Sequence, residues 1–196
     1  MKIVGIGGLP RSGKDTVAEL FMQRGWFGVS LGDIVREESR KRHTDEPDPV
    51  SLKNMTETSN YLRTVKGPDF ALKEAMTRFD EAGAVHDYAG LVVFSVRMPV
   101  EVDFILEKGG QLIWVEADDE VRLKRANLSR RQGEPVHTLE LMKSQEALQQ
   151  RPQPGLPEGV QMNIDYVKAH ATKTIVNNGD DVQAFGREVE RELGLR

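Results

Sequence analysis

Apolar residues follow two rhythms along this chain. One is the short unbroken run: "KIVGIG" near the start, "WFGVS" at 26–30, "GLVVFSV" at 90–96, "QLIWVEA" at 111–117 and "TKTIVNN" at 172–178. These runs are rich in β-branched or aromatic residues, which predicts strands buried on both faces of a parallel sheet. The other rhythm repeats every three or four residues and predicts helices. In "GKDTVAELFMQRG", Val17, Leu20 and Phe21 share a face and Gly25 is the stop. Further helices are predicted over "GDIVREESRKR", "LKNMTETSNYLRTVK", "DFALKEAMTRFDEA", "PVEVDFILEKG", "DDEVRLKRANLSRRQG", "LELMKSQEALQQ" and "DVQAFGREVEREL". The segments "HTDEPDPVS" and "RPQPGLPEG" read as loops from their Pro, Gly and acidic content. Strands alternating with helices predict an α/β fold, a five-stranded parallel sheet with helices on both faces. The expectation is one domain over residues 1–196, without internal repeats.

Composition narrows the class without changing the fold. The 196 residues are 38% hydrophobic and 30% charged, an ordinary globular balance. A net charge of -4 and a pI near 5.7 give no electrostatic footprint for nucleic acid or a membrane surface. The absence of cysteine excludes disulfides and thiolate metal sites. The opening "MKIVGIGG" has too short an apolar run for a signal peptide, so a cytoplasmic location is expected. The four histidines are scattered and lack the spacing of a metal site.

Chemistry enters at "GLPRSGKDT", residues 8–16. Gly8, Gly13 and Lys14 fit the G-x-x-x-x-G-K phosphate loop, which follows a strand and opens a helix as that motif requires. Glycines let backbone N–H groups turn toward a phosphate, and the helix start adds its positive end. The loop with Arg11, Ser12, Gly13, Lys14, Asp15 and Thr16 is therefore the expected binding site for ATP. The usual Ser or Thr after the lysine is replaced by Asp15. Ligands of such sheets bind at the carboxyl ends of the strands. This singles out Gly32, Asp33 and Arg36 after strand two, Ser95 and Arg97 after strand three, and Asp118 after strand four. Arg36, one turn into its helix, can clamp a phosphate with two parallel hydrogen bonds. Arg97 can face the same cleft. Arg122 and Arg125 share a helical face in a basic run that continues to Arg130 and Arg131. That run is either a solvated helix surface or a set of cations around a moving phosphoryl group.

Together these residues resemble the P-loop nucleoside monophosphate kinases. Adenylate kinases have a similar Gly-Asp-x-x-Arg after strand two. The likeness extends over nearly the whole chain to the adenylate-kinase-related archaeal proteins, through "GDIVREE", "GPDFALKEA" and "VRMPVEV". The loop "RSGKDT" is similar to that of phage deoxynucleoside monophosphate kinases, and "SGKD" to that of animal phosphomevalonate kinases. The resemblance implies ATP-dependent phosphoryl transfer to a small phosphorylated acceptor, most readily a nucleoside or deoxynucleoside monophosphate. It implies an acceptor clamp of Asp33, Arg36 and Arg97. It also implies an acceptor flap at about 43–66 and a lid at about 129–159, from which Arg122, Arg125, Arg130 or Arg131 cover the transferring group.

One departure from the family affects the metal. Related kinases end strand three in Asp-Gly, whose acid organises Mg²⁺, whereas this chain has Phe94-Ser95. Asp15 is then the expected carboxylate for Mg²⁺, since phosphate and carboxylate at close range need a cation between them. Thr16 lies about 100° around the helix from it. The alternatives are a dephospho-coenzyme A kinase-like enzyme and a nucleotide-binding regulator with little turnover.

Overall fold

The structure, a computed structural model, describes residues 1–129, 136–151 and 157–195. Its sheet has five parallel strands, β1 (Ile3–Gly8), β2 (Phe27–Ser30), β3 (Leu91–Phe94), β4 (Gln111–Glu116) and β5 (Lys173–Val176), in the order β2-β3-β1-β4-β5. Ile3 stands opposite Leu91 and Ile6 opposite Phe94, while Gly8 stands opposite Val115. Each apolar run therefore feeds two cores, because successive side chains leave opposite faces. In β3, Leu91 and Val93 join one cluster and Val92 the other.

One face is covered by α1 (Lys14–Met22) and α9 (Val182–Leu193), through Val17, Leu20, Phe21, Phe185 and Val189. The other face carries α2 (Leu31–Arg42), α3 (Leu52–Lys66), α4 (Phe70–Gly83), α5 (Pro99–Glu107) and α8 (Ile164–Ala169). Helix α6 (Asp119–Leu128) packs with α7 (Leu139–Gln150). Ser30, Ser51, Thr138 and Asp181 cap α2, α3, α7 and α9 with side-chain oxygens, each accepting an N–H that the helix cannot satisfy.

The sequence expectations for strand number, direction and most helices agree with this architecture. Two differences stand out. Helix α6 ends at Leu128, where Ser129 caps it, whereas the basic run reads as continuing to Gly133. Helix α8 was not expected, since six residues are too few to show a period. Its Val167 is fully buried and lies so close to β1 that a Cβ on Gly7 would approach it to 2.8 Å.

Candidate active site

The central strand β1 delivers the loop of residues 8–13 between the ends of β3 and β4. Three of its residues adopt positive φ: Gly8 (155°), Arg11 (65°) and Gly13 (101°). A side chain at Gly13 would collide with Asn177, at 2.2 Å from its Nδ2. The loop's carbonyls turn outward and are satisfied from behind. Arg122 Nη1 donates to Pro10 O (3.4 Å) and Arg125 Nη1 to Arg11 O (3.1 Å). Asn177 Nδ2 donates to Ser12 O (2.8 Å). The N–H groups at the start of α1 have no acceptor within their own helix. Ser12 Oγ is buried and has no hydrogen-bond partner among the described residues. These are the properties of a phosphate cradle.

Lys14 is 7% exposed, and its ammonium lies 3.8 Å from the Asp15 carboxylate. Burial lowers its pKa; Asp15 opposes the shift, and Arg97, Arg11 and Arg36 add to it. The Asp15 side chain is 65% exposed and faces the same cleft as Lys14. That cleft has a volume of about 750 Å³. Pro10, Arg11, Lys14 and Asp15 form one side, and Asp33, Arg36 and Arg97 also line it.

Local backbone features position the two arginines. Ser30 Oγ starts α2 by accepting from Asp33 N (3.1 Å), and Arg36 one turn on pairs with the Asp33 carboxylate. After β3, Ser95 takes a left-handed conformation (φ 64°), uncommon for a residue with a side chain. The chain then turns into the cleft, and Glu101 Oε2 accepts the N–H groups of Arg97 (2.8 Å) and Met98 (3.0 Å). Arg97 Nη1 donates to Gln149 Oε1 of α7 at 2.7 Å. Burial lowers the Arg97 pKa; Glu101 and Asp15 oppose the shift, and Arg36 adds to it.

Lys14, Asp15, Arg11, Asp33, Arg36 and Arg97 thus come together in one cleft, with Phe94 and Ser95 at its wall. Thr16 and Asp118 do not line it, and Asp118 instead stands just before the first residue of α6. Arg122 and Arg125 also stand outside it. Arg122 is 1% exposed and binds the carboxylates of Glu146 and Asp119, the latter at 2.5 Å. Arg125 Nη2 donates to Asn177 O (3.0 Å) and Gly179 O (2.7 Å) behind the loop. Arg130 and Arg131 lie outside the described residues, as do parts of the expected lid; its described part is mainly α7.

Sequence reasoning missed Arg63 and Glu101, both buried and both lining the cleft. Arg63 lies on the buried side of α3 with Ser59 and Leu62, so a cation within an amphipathic stripe was the available signal. Glu101 sits at the third position of α5 after Pro99, where an acid reads first as a cap.

Residues 4–149 match a family model described as an AAA domain. A UPF0200 protein of Hyperthermus butylicus is 30% identical over 136 residues, 68% of each chain. The chain belongs to the AAA-domain family and to the UPF0200 proteins. Another UPF0200 relative, the UPF0200/UPF0201 protein of Archaeoglobus fulgidus, is 29% identical over 83% of this chain. This chain spans only 48% of that relative's length. Among solved structures, TT1252 from Thermus thermophilus superposes with a TM-score of 0.58 at 20% identity, covering 98% of this UPF0200 chain and 96% of its own. Shikimate kinase from Bacteroides thetaiotaomicron gives 0.52 at 11% identity, with 98% of both chains covered. At these identities the likeness establishes the fold alone, a five-stranded parallel sheet with helices on both faces. Among the described residues no helix is long and apolar enough to cross a membrane. No group of three or more His, Cys, Asp or Glu side chains among them is arranged to hold a metal.

Proposed function

We propose that this chain is an ATP-dependent phosphotransferase acting on a small phosphorylated acceptor, a nucleoside or deoxynucleoside monophosphate. The observation that carries the reading is the single cleft in which Lys14 and Asp15 stand with Arg36 and Arg97. A cradle of N–H groups with a buried lysine suits a polyphosphate, and two arginines on a neighbouring wall suit a second phosphate. The orphaned Ser12 hydroxyl and the glycines of the loop support the fit of the nucleotide.

Bound ATP would supply the γ-phosphoryl group, transferred to an oxygen of the acceptor's phosphate as the bond to ADP breaks, with Mg²⁺ as counter-charge. Lys14 and the loop N–H groups hold the polyphosphate from one side. Asp15, exposed to the cleft, would hold Mg²⁺ through a carboxylate oxygen, the hard donor such a cation takes. Arg36 and Arg97 hold the acceptor and exchange Asp33 and Gln149 for its phosphate oxygens. Arg125 and Arg122 act through the loop, fixing its carbonyls outward. Catalysis is positioning and charge stabilisation, so no covalent nucleophile is required. The segment at 43–66 serves as the acceptor flap, and α7 as part of a lid. The test is ATP consumption by the full chain with and without a panel of nucleoside and deoxynucleoside monophosphates. At least one acceptor should stimulate consumption, and Lys14→Ala should abolish it while remaining folded. A folded wild-type chain that consumes ATP with none of the panel would rule the reading out.

A further inference from the structure

Beside its cluster of cations the cleft holds polar groups that lack partners. At the loop end, Lys14, Arg11, Arg36 and Arg97 crowd together and Asp15 offsets only part of their charge. Within electrostatic reach of Arg97, α3 presents Ser59 and Arg63, one turn apart and both lining the cleft. Ser59 is 2% exposed, and its Oγ has no hydrogen-bond partner among the described residues. A buried hydroxyl left unpaired is costly unless something else occupies its site. Arg63 is 6% exposed, and its one hydrogen bond among the described residues is to Val160 O at 3.3 Å. Guanidinium has five N–H donors, so most of those of Arg63 remain unused.

Glu101 stands within electrostatic reach of Arg63, but the two form no ion pair within 4.0 Å. Burial brings the Arg63 pKa down to about 10; Glu101 opposes that shift and Arg97 adds to it. Among the described residues Glu101 uses Oε2 for the backbone and leaves Oε1 free. With the Arg97 charge taken by the acceptor's phosphate, the Glu101 carboxylate beside the Arg63 guanidinium leaves this wall polar but nearly neutral. Met55, one turn before Ser59, packs with Val35 and Phe70, and all three line the cleft. This part of the cleft therefore combines apolar walls with donors and acceptors that lack partners.

We propose that Ser59, Arg63 and Glu101 read the edge of a flat, uncharged heterocycle carrying ring acceptors beside N–H donors, the chemistry of a nucleobase. Arg63 donates to a ring carbonyl or nitrogen, Glu101 Oε1 accepts an N–H, and Ser59 Oγ fills the remaining hydrogen bond. An acceptor with a second anionic group at this wall would meet the Glu101 carboxylate and is disfavoured. The inference rests on the reading that Arg36 and Arg97 take the acceptor's phosphate.

The experiment is calorimetry of the full chain without ATP, so that binding is read apart from turnover. The ligands are ribose 5-phosphate, the common nucleoside monophosphates and fructose 1,6-bisphosphate. At least one nucleotide should bind roughly 10-fold or more tightly than ribose 5-phosphate, the share expected of one charge-assisted hydrogen bond. Ser59→Ala and Arg63→Met should each erase most of that advantage and leave ribose 5-phosphate unchanged. Ser59→Ala should also keep or raise Tm, because it removes an unpaired buried hydroxyl; a merely structural serine would lower it. If Arg63→Met fails to fold, the serine variant decides alone. Ribose 5-phosphate binding as tightly as every nucleotide, or the bisphosphate binding more tightly, overturns the inference even in a chain that consumes ATP. Base-dependent binding that both variants erase, in a chain that never consumes ATP, upholds the inference and removes the phosphotransfer reading instead.

Discussion

Arg122 and Arg125 stand behind the phosphate loop, while Arg36, Arg63 and Arg97 line the cleft in front of it. Behind the loop the terminal guanidinium nitrogens, Nη1 and Nη2, are spent on fixed partners, the carboxylates of Asp119 and Glu146 and the carbonyls of Pro10, Arg11, Asn177 and Gly179. In front, the partners are replaceable. Arg36 pairs with the half-exposed Asp33, Arg97 with the neutral amide of Gln149, and Arg63 with one carbonyl. The same side chain is thus a brace where its acceptors are part of the frame, and has donors open to the cavity where the frame leaves them unspent. The difference also shows how the loop's N–H groups come to be available: cations behind it hold its carbonyls away from the cleft.

Removing a brace should produce the largest effect. Arg122→Ala leaves the Glu146 carboxylate, 14% exposed, without its cation, and is expected to cost about 3 kcal/mol of stability in denaturant titration. The brace should also weaken in acid. Hydrogen bonds from Lys143 and then Arg122 hold the Asp119 carboxyl below its ordinary 3.8. Its contribution is complete above that value and is lost as pH falls through the lowered one. Arg122→Ala should therefore show a shallower loss of stability across this acid window than wild type. If Arg122→Ala unfolds at the same denaturant concentration as wild type, the distinction between brace and clamp collapses.

A smaller effect is expected in front of the loop, and on affinity instead of stability. Arg36→Ala and Arg97→Ala should each weaken the acceptor by about 1.5–3 kcal/mol, or roughly 10- to 150-fold, with ATP affinity and Tm little changed. Steady-state KM values for the two substrates separate the sides of the cleft; a rise confined to ATP would reverse the assignment.

Asp15 should show the smallest effect, because its side chain is 65% exposed and water screens it. Asp15→Asn keeps the shape and loses the charge. Apparent Mg²⁺ affinity in the ATP complex should fall by about 1 kcal/mol at most, roughly fivefold. Metal-free ATP should bind as well or better, since a like charge beside the phosphates is gone. A Mg²⁺ titration of turnover, paired with calorimetry of ATP without metal, checks both; an unchanged Mg²⁺ profile would make Asp15 only a helix-start residue.

Much of this molecule was legible along the chain. The strands, their parallel direction and the phosphate loop were readable from short stretches: "KIVGIG" running into "GLPRSGKDT" states strand, turn and helix start within 16 residues. A strand buried on both faces must be apolar throughout, and a loop that offers N–H groups must contain glycine, so those features leave a local mark. Arg36 and Arg97 were also legible, because residues just past a parallel strand stand at the ligand end of the sheet. The roles of the other arginines were decided only in three dimensions. Arg125 looks as available as Arg97 in the sequence. Its acceptors Arg11 O and Gly179 O lie 114 and 54 residues away, and nothing near it in the chain announces them. Arg63 reads as a helix-surface cation until α3, α5 and the segment at Val160 close around it. Local sequence sets conformation through neighbours on the same turn or strand; whether a charged group ends with its donors satisfied or facing a cavity depends on backbone brought from elsewhere.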